Sequence, residues 1–246
     1  MKVWIVLPAY NEALALPPLL DSLIDSMKED GRKFEIVVVN DGSKDNTTDV
    51  LQGFIDRSLP VRMLINDPNR GLAETIKRGL LEALSLADSQ DVIITMDADN
   101  THPAGLALRM IRLIREGNDV VIASRYREGS YIRGLSWFRR FLSYGASWLF
   151  RIVFPTRGVR DYTCGYRAYR VTALQELQRR DGNNFIKEKG FACMVEILLS
   201  LRSLDLIFTE VPMVLRYDLK PGRSSMAVFK TIRQTFALLL RKRLAA

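Results

Sequence analysis

Along the first half of this 246-residue chain, short runs that are apolar on both faces alternate with stretches of helical periodicity. The apolar, β-branched runs fall at Val3–Leu7, Ile36–Val39, Arg62–Ile65, Val92–Met96 and Val120–Ala123, with amphipathic stretches at about 12–28, 45–57, 72–87 and 104–116. Strands apolar on both faces need helices above and below them. The pattern therefore predicts an α/β protein with a mostly parallel central sheet flanked by helices. Beyond residue 130 longer helical patterns follow near 135–153 and 190–203, then a short strand near 206–211 and a Lys/Gly/Arg/Ser turn at 220–225. An amphipathic basic helix at about 226–243 closes the chain. With no linker and no repeat, the division expected is one catalytic-sized domain, 1–225, and a C-terminal basic helix, 226–246.

In such sheets ligands bind beyond the carboxyl ends of the strands. Those ends are polar here: Pro8-Ala9-Tyr10-Asn11-Glu12, Asn40-Asp41-Gly42-Ser43, Asp97-Ala98-Asp99 and Ser124-Arg125-Tyr126. Neither GxGxxG after the first strand nor GxxxxGK[ST] occurs, which removes support from dinucleotide oxidoreductases and P-loop enzymes.

Net charge changes the picture further. The formal +8 calls for an anionic partner, and residues 109–170 concentrate it, with thirteen arginines against four acidic residues. Two cysteines form no disulfide framework or zinc cluster, so a reducing, cytoplasmic setting is expected. The start reads as a strand rather than a signal peptide, and no uninterrupted apolar stretch is long enough to span a bilayer.

Asp97-Ala98-Asp99 carries the clearest chemistry. Just past a strand end the chain can turn, so both carboxylates can approach one hard cation, or one can hold a ribose while the other binds metal. Mg²⁺ or Mn²⁺ suits such oxygen ligands and takes further ligands from substrate phosphates. Asp41 can form a turn or cap, or reach a base or ribose. Tyr10 can stack on a base, and Glu12 can contact the nucleotide or favour the next helix N-terminus. His102 precedes Pro103 directly after the aspartates, where a supporting hydrogen bond or the start of a helix is favoured over metal ligation.

LPAYNE, VVVNDGSKDNT, NRGLAETIKRG, MDADNTHP, ASRY, DYTCGYRAYR and KPGRSSM, in that order, resemble the family 2 glycosyltransferases of GT-A fold, and among them the dolichyl-phosphate mannose synthase group. The resemblance covers roughly residues 2–230. It implies that Pro8, Tyr10, Glu12 and Asp41 hold the nucleoside, and that Asp97, Ala98 and Asp99 form the DxD that binds metal and donor diphosphate. Arg125 matches a phosphate-binding arginine, and Arg139 and Ser143 match the pair that grips the acceptor phosphate. Where many mannose synthases carry a metal-side Gln, this chain has Thr101. Where the family reads GxSK it has Gly222-Arg223-Ser224-Ser225, leaving Lys220 or Arg223 to supply the phosphate charge.

The implied reaction is inverting transfer of a sugar, mannose from GDP-mannose foremost, to a polyprenyl phosphate of dolichyl type. Many relatives acting on hydroxyls use a late Glu-Asp pair as base; Lys189–Cys193 offers none, and Glu196 lies in an apolar helix pattern. An ionised lipid phosphate needs no base, only Arg and Lys to bind it. Trp137–Phe154 and the C-terminal FALLLRKRL fit helices resting in anionic headgroups, against the alternative that Trp148, Leu149 and Phe150 are core. The expected partners are thus a nucleotide sugar, a polyprenyl phosphate and the cytoplasmic face of a membrane. Rival readings are a UDP-sugar donor, a hydroxyl acceptor, a sugar-phosphate nucleotidyltransferase, whose Gly-rich loop LPAYNE lacks, and a nucleic-acid binder, whose polyanion the acidic strand ends would repel.

Overall fold

The structure, a computed structural model, describes residues 1–134 and 137–220, with the side chains of 137–142 and 146 outside the description. Five strands follow the predicted runs: β1 (Lys2–Ala9), β2 (Lys33–Asn40), β3 (Val61–Ile65), β4 (Val92–Thr95) and β5 (Val120–Ser124). Between them lie α1 (Leu16–Glu29), α2 (Thr47–Asp56), α3 (Leu72–Leu86) and α4 (Leu106–Arg115). The chain continues through β6 (Tyr131–Arg133), α5 (Trp137–Val153), β7 (Arg167–Arg170), α6 (Val171–Asp181), α7 (Ala192–Arg202), β8 (Phe208–Pro212) and β9 (Val214–Arg216). The main sheet runs β3-β2-β1-β4-β7-β5-β8, and β6 pairs with β9 in a separate parallel ribbon.

Val3–Leu7, Ile36–Val39 and Ile93–Ile94 are fully buried between the helical layers, as a two-sided apolar strand requires. Gly79 of α3 lets that helix sit directly on β1, since a Cβ there would lie 2.4 Å from Val6 Cγ1. Pro8 stands beyond the last β1–β4 pair, Val6 with Thr95, so its missing N–H breaks no ladder bond.

Two features differ from expectation. Helix α1 starts at Leu16 rather than near 12, because Asn11 takes a left-handed conformation (φ 57°) and Glu12 closes a turn by accepting from Ala15 and Leu16. Strands β6, β7 and β9 and helix α6 have no counterpart in the sequence pattern. β7 reads Arg-Ala-Tyr-Arg, and its buried Arg167 is accommodated by donating to the carbonyls of Met194 (2.6 Å) and Tyr162 (2.8 Å).

β7 is antiparallel to both β4 and β5. Its amino end therefore lies at the edge where the parallel strands finish, and the Thr95 hydroxyl donates to the Gly165 carbonyl there (2.7 Å). The Asp161–Gly165 segment is thereby delivered to the ligand edge.

Candidate active site

Side-chain bonds lock the first two strand-end loops together. The Asn11 and Glu12 N–H groups donate to the hydroxyls of Ser43 (2.9 Å) and Thr47 (3.0 Å), and the Lys44 N–H donates to Asn11 Oδ1 (2.8 Å). Tyr10 is left 42% exposed beside this lock. Asp41 is instead buried. Its carboxylate accepts from Asn66 Nδ2 (2.8 Å) and from the N–H groups of Arg70 (2.9 Å) and Gly71 (2.8 Å) at the start of α3. An anion at a helix N-terminus satisfies otherwise orphaned donors. The carboxylate is thus held across the loops against the segment leading into α3, rather than closing a turn of its own loop. Gly42 is needed beside it, as a Cβ at its φ of +68° would lie 2.8 Å from the Asn69 nitrogen.

Asn100, at φ 61°, turns the chain just past β4, a conformation Asn tolerates. Thr101 is buried and donates to Asp99 Oδ1 through its N–H (3.1 Å) and its hydroxyl (2.6 Å), so it orients the carboxylate. Asp99 Oδ2 accepts from Lys220 Nζ (2.7 Å). Lys220 reaches the site because the Arg216 N–H of β9 donates to the Thr101 carbonyl (2.9 Å), drawing the ribbon over the aspartates. His102 is buried and stacks on Tyr166 (5.1 Å); its Nδ1 accepts from the Asp97 N–H (3.3 Å) and its Nε2 lies 3.8 Å from Asp97 Oδ2. That is the supporting role favoured from sequence. Ala98 is buried between the two aspartates, and Gly165 leaves room for Asp97 Oδ1, 3.3 Å from where its Cβ would stand.

The charges are strongly interdependent. Desolvation, then Asp99 and Asp97, raise Glu12 to about 7 against the opposing pull of Lys220. Desolvation and the neighbouring Asp99 also raise Asp97. Burial would raise Asp99 too, but His102 and Lys220 hold it below the usual carboxylate range. Surplus carboxylate facing one recess is what a hard divalent cation neutralises. Among the described residues no three His, Cys, Asp or Glu side chains form a closed metal site. Asp97 and Asp99 thus fit a cation whose remaining ligands come from substrate phosphates.

Arg125 is more enclosed than its sequence reading implied. Its Nε and Nη2 make a bidentate pair with Asp161 (2.8 and 2.7 Å), and Nη2 also donates to Thr163 Oγ1 (2.5 Å). Asp161 is fully buried and further accepts from the N–H groups of Thr163 and Cys164. Sequence reasoning assigned it no role, although it is one of only four acids among the arginines of 109–170. The Tyr126 and Ser143 hydroxyls lie 2.6 Å apart, tying α5 to the Arg125 loop. The Arg139 side chain, Arg223 and the predicted helix 226–243 lie outside the described residues. Of the aromatic segment in α5, Phe150 is core, Leu149 is half-buried and Trp148 is 60% exposed. Among the described residues no helix is long and apolar enough to cross a membrane.

The model for glycosyl transferase family 2 matches residues 4–178. The dolichol-phosphate mannosyltransferase of Pyrococcus furiosus is 29% identical over 243 residues, covering 97% of this chain and 64% of its own. The undecaprenyl-phosphate 4-deoxy-4-formamido-L-arabinose transferase of Serratia proteamaculans is 33% identical over 171 residues, covering 69% of this chain and 49% of its own. This chain therefore spans about half to two thirds of those relatives. The crystal structure of Mycobacterium tuberculosis glucosyl-3-phosphoglycerate synthase with Mn²⁺, UDP and glucosyl-3-phosphoglycerate aligns with a TM-score of 0.65 at 19% identity, covering 98% of this chain and 79% of that one. The fold is GT-A.

Proposed function

We propose that this chain, which belongs to glycosyl transferase family 2, transfers a sugar from a nucleotide-sugar donor to a polyprenyl phosphate. The observation that carries the reading is the division of charge along one sheet edge. Glu12, Asp97 and Asp99 gather with Lys220 on the donor side, while Arg125, Tyr126 and Ser143 form the wall next to them, with Arg125 in electrostatic reach of Asp97. The acceptor class is supported by the names of the Pyrococcus and Serratia relatives. The former, a mannosyltransferase by name, makes mannose the first sugar to test, with GDP-mannose the donor that the sequence resemblance implies; the UDP of the mycobacterial structure keeps UDP-sugars as the alternative.

Asp97 and Asp99 would hold Mg²⁺ or Mn²⁺, which would supply positive charge against the donor diphosphate. Thr101 fixes the Asp99 rotamer, and His102 fixes the Asp97 backbone. Tyr10 offers a face for the base, and Pro8, Glu12 and the Asp41-capped loop shape the nucleoside pocket. Lys220 exchanges its bond to Asp99 for a phosphate oxygen of the donor, with Arg223 as a second cation from the same turn. Arg125, set by Asp161, positions Ser143 through Tyr126, and with Arg139 completes the acceptor-phosphate side. That phosphate attacks already ionised, so no base is required. Glu196, the nearest carboxylate by sequence, is buried and accepts from the N–H groups of Lys187 (2.8 Å) and Glu188 (2.7 Å), a structural anchor. We assign the enzyme to the cytoplasmic face of a membrane, held peripherally by α5 and by residues 226–246.

Incubation of radiolabelled GDP-mannose, UDP-glucose and UDP-N-acetylglucosamine with a polyprenyl phosphate tests the reading. Labelled lipid formed with Mn²⁺ and lost on chelation is expected. Label passing only to hydroxyl acceptors, or lipid labelling that survives chelation, overturns it.

A further inference from the structure

Helix α5 exposes Tyr144, Trp148 and Ile152 at 61%, 60% and 56%, a stripe spaced four residues apart, while Ser147 and Phe150 face inward. Arg151 lies beside this stripe. Past the helix the chain is pinned in place. The Tyr162 and Thr156 hydroxyls donate to the Phe154 carbonyl (2.6 and 3.0 Å), and Arg202 Nε donates to the Pro155 carbonyl (3.2 Å). Gly158 presses so closely on β8 that a Cβ would stand 2.2 Å from the Phe208 carbonyl oxygen. The N–H groups of Arg160 and Asp161 then close the loop on Glu210 Oε1, both at 2.6 Å.

This fixed loop borders an open cavity of about 450 Å³ lined by Arg127, Arg151, Arg157 and Arg160, with Pro155 and Tyr162 between them. All four arginines are exposed, and among the described residues none has a carboxylate at ion-pair distance. Four like charges around one volume repel unless an anion enters. Guanidinium groups are the side chains best matched to phosphate oxygens.

We infer that this cavity binds the headgroup phosphate of an anionic phospholipid, with the Tyr144–Trp148–Ile152 stripe lying in the headgroup layer beside it. Phosphate-binding charge next to an exposed aromatic and aliphatic ridge on the same helix fits an amphiphile better than a free ion. The cavity shares no residue with the donor carboxylates. Arg160 and Asp161 are consecutive, one lining the cavity and the other clasping Arg125, so a lipid held here sets the acceptor wall against the bilayer. The inference deepens the peripheral-membrane part of the proposed function and rests on it.

Flotation of the full chain with phosphatidylcholine vesicles, with and without phosphatidylglycerol, tests it at moderate salt. Wild type is expected to float with the anionic vesicles. Arg151→Gln/Arg157→Gln is expected to weaken partitioning by about tenfold or more, each basic residue near an anionic surface contributing several-fold. Arg109→Gln/Arg115→Gln on α4 removes the same charge elsewhere and should float like wild type. Trp148→Ser should reduce flotation without changing the melting temperature. Equal loss in both arginine pairs means unspecific charge attraction and overturns the inference. Release of the protein by millimolar inorganic phosphate reassigns the site to a free ion and overturns the lipid. Sugar transfer to a short-chain polyprenyl phosphate in detergent should be unchanged in Arg151→Gln/Arg157→Gln. Wild type inactive in that assay yet floating normally would sink the proposed reaction alone.

Discussion

Lys220 Nζ stands 2.7 Å from Asp99 Oδ2, so the chain places its own cation where the proposed metal ligands meet. Burial would lower the Lys220 pKa, yet Asp99 and Glu12 hold it above the ordinary lysine value. The pair resolves an electrostatic problem of the free protein: three carboxylates share one recess, and without a counter-charge their repulsion would open it. In the proposed reaction, binding would then be an exchange, in which the ammonium leaves a carboxylate for a phosphate as the recess fills.

That exchange separates two variants. Asp99→Ala is expected to reduce turnover to background, since it removes a proposed metal ligand and the partner of Lys220 together; near-normal activity would sink the scheme. Lys220→Met is expected to bind Mn²⁺ more tightly in the absence of donor, by several-fold, because the internal competitor is gone. The same variant should bind nucleoside diphosphate more weakly. Electron paramagnetic resonance of free Mn²⁺ and equilibrium dialysis of the nucleotide measure the two effects, and unchanged values for both would reduce the pair to an incidental contact.

Glu12 makes the metal-free protein pH-sensitive. Desolvation and the nearby aspartates raise its pKa from 4.5 to about 7, so the folded state holds this proton more tightly than the unfolded chain. The resulting stabilisation is fully present below about 4.5 and is lost as pH rises to about 7. Thermal melts of wild type and Glu12→Gln across that window should therefore diverge, with the variant gaining relative stability as pH increases. Parallel curves would show that Glu12 titrates as an ordinary exposed carboxylate.

The first half of the fold is legible in sequence because two-sided burial leaves unbroken apolar runs such as Ile36–Val39. β7 was hidden because its burial depends on carbonyls far along the chain that receive the Arg167 guanidinium. The strand-end rule points to Asp97, Asp99 and Glu12, and the structure gathers their carboxylates at one sheet edge, but the Lys220 that bonds Asp99 comes from 121 residues further along. The rule could not show that Asp41 spends its carboxylate on the start of α3, a partner thirty residues away in sequence. Nor could it show that Arg125 is clasped by Asp161, because that pairing is set by the antiparallel insertion of β7. Local motifs were readable; pairings that depend on strand order were not.

The Arg125–Asp161 pair is expected to separate stability from activity. Arg125→Ala leaves a fully buried carboxylate without its bidentate partner and should cost about 3–5 kcal/mol. In Arg125→Ala/Asp161→Asn that uncompensated charge is gone, so much of the stability should return while turnover stays low. Urea denaturation and the labelled-lipid assay report the two quantities. A double variant no more stable than the single one would mean that the clasp carries little of the folding energy.

Gly79 offers a test of the packing that holds β1, and with it Pro8, Tyr10 and Glu12, in place. A Cβ at this position would lie 2.4 Å from Val6 Cγ1 and 3.1 Å from Val39 Cγ2. Both neighbours are β-branched residues in central strands, with little freedom to rotate away. Gly79→Ala gains about 1 kcal/mol of helix propensity. Overpacking costs typically about 1–3 kcal/mol, and the hard contact with Val6 sets it at the upper end. The net expectation is a loss of about 1–2 kcal/mol in urea denaturation. Val6→Ala removes the clashing methyl groups, so Gly79→Ala in that background should be neutral or stabilising, and the double-mutant cycle should show favourable coupling. Additive losses would place the strain elsewhere and leave the approach of α3 to β1 without this explanation.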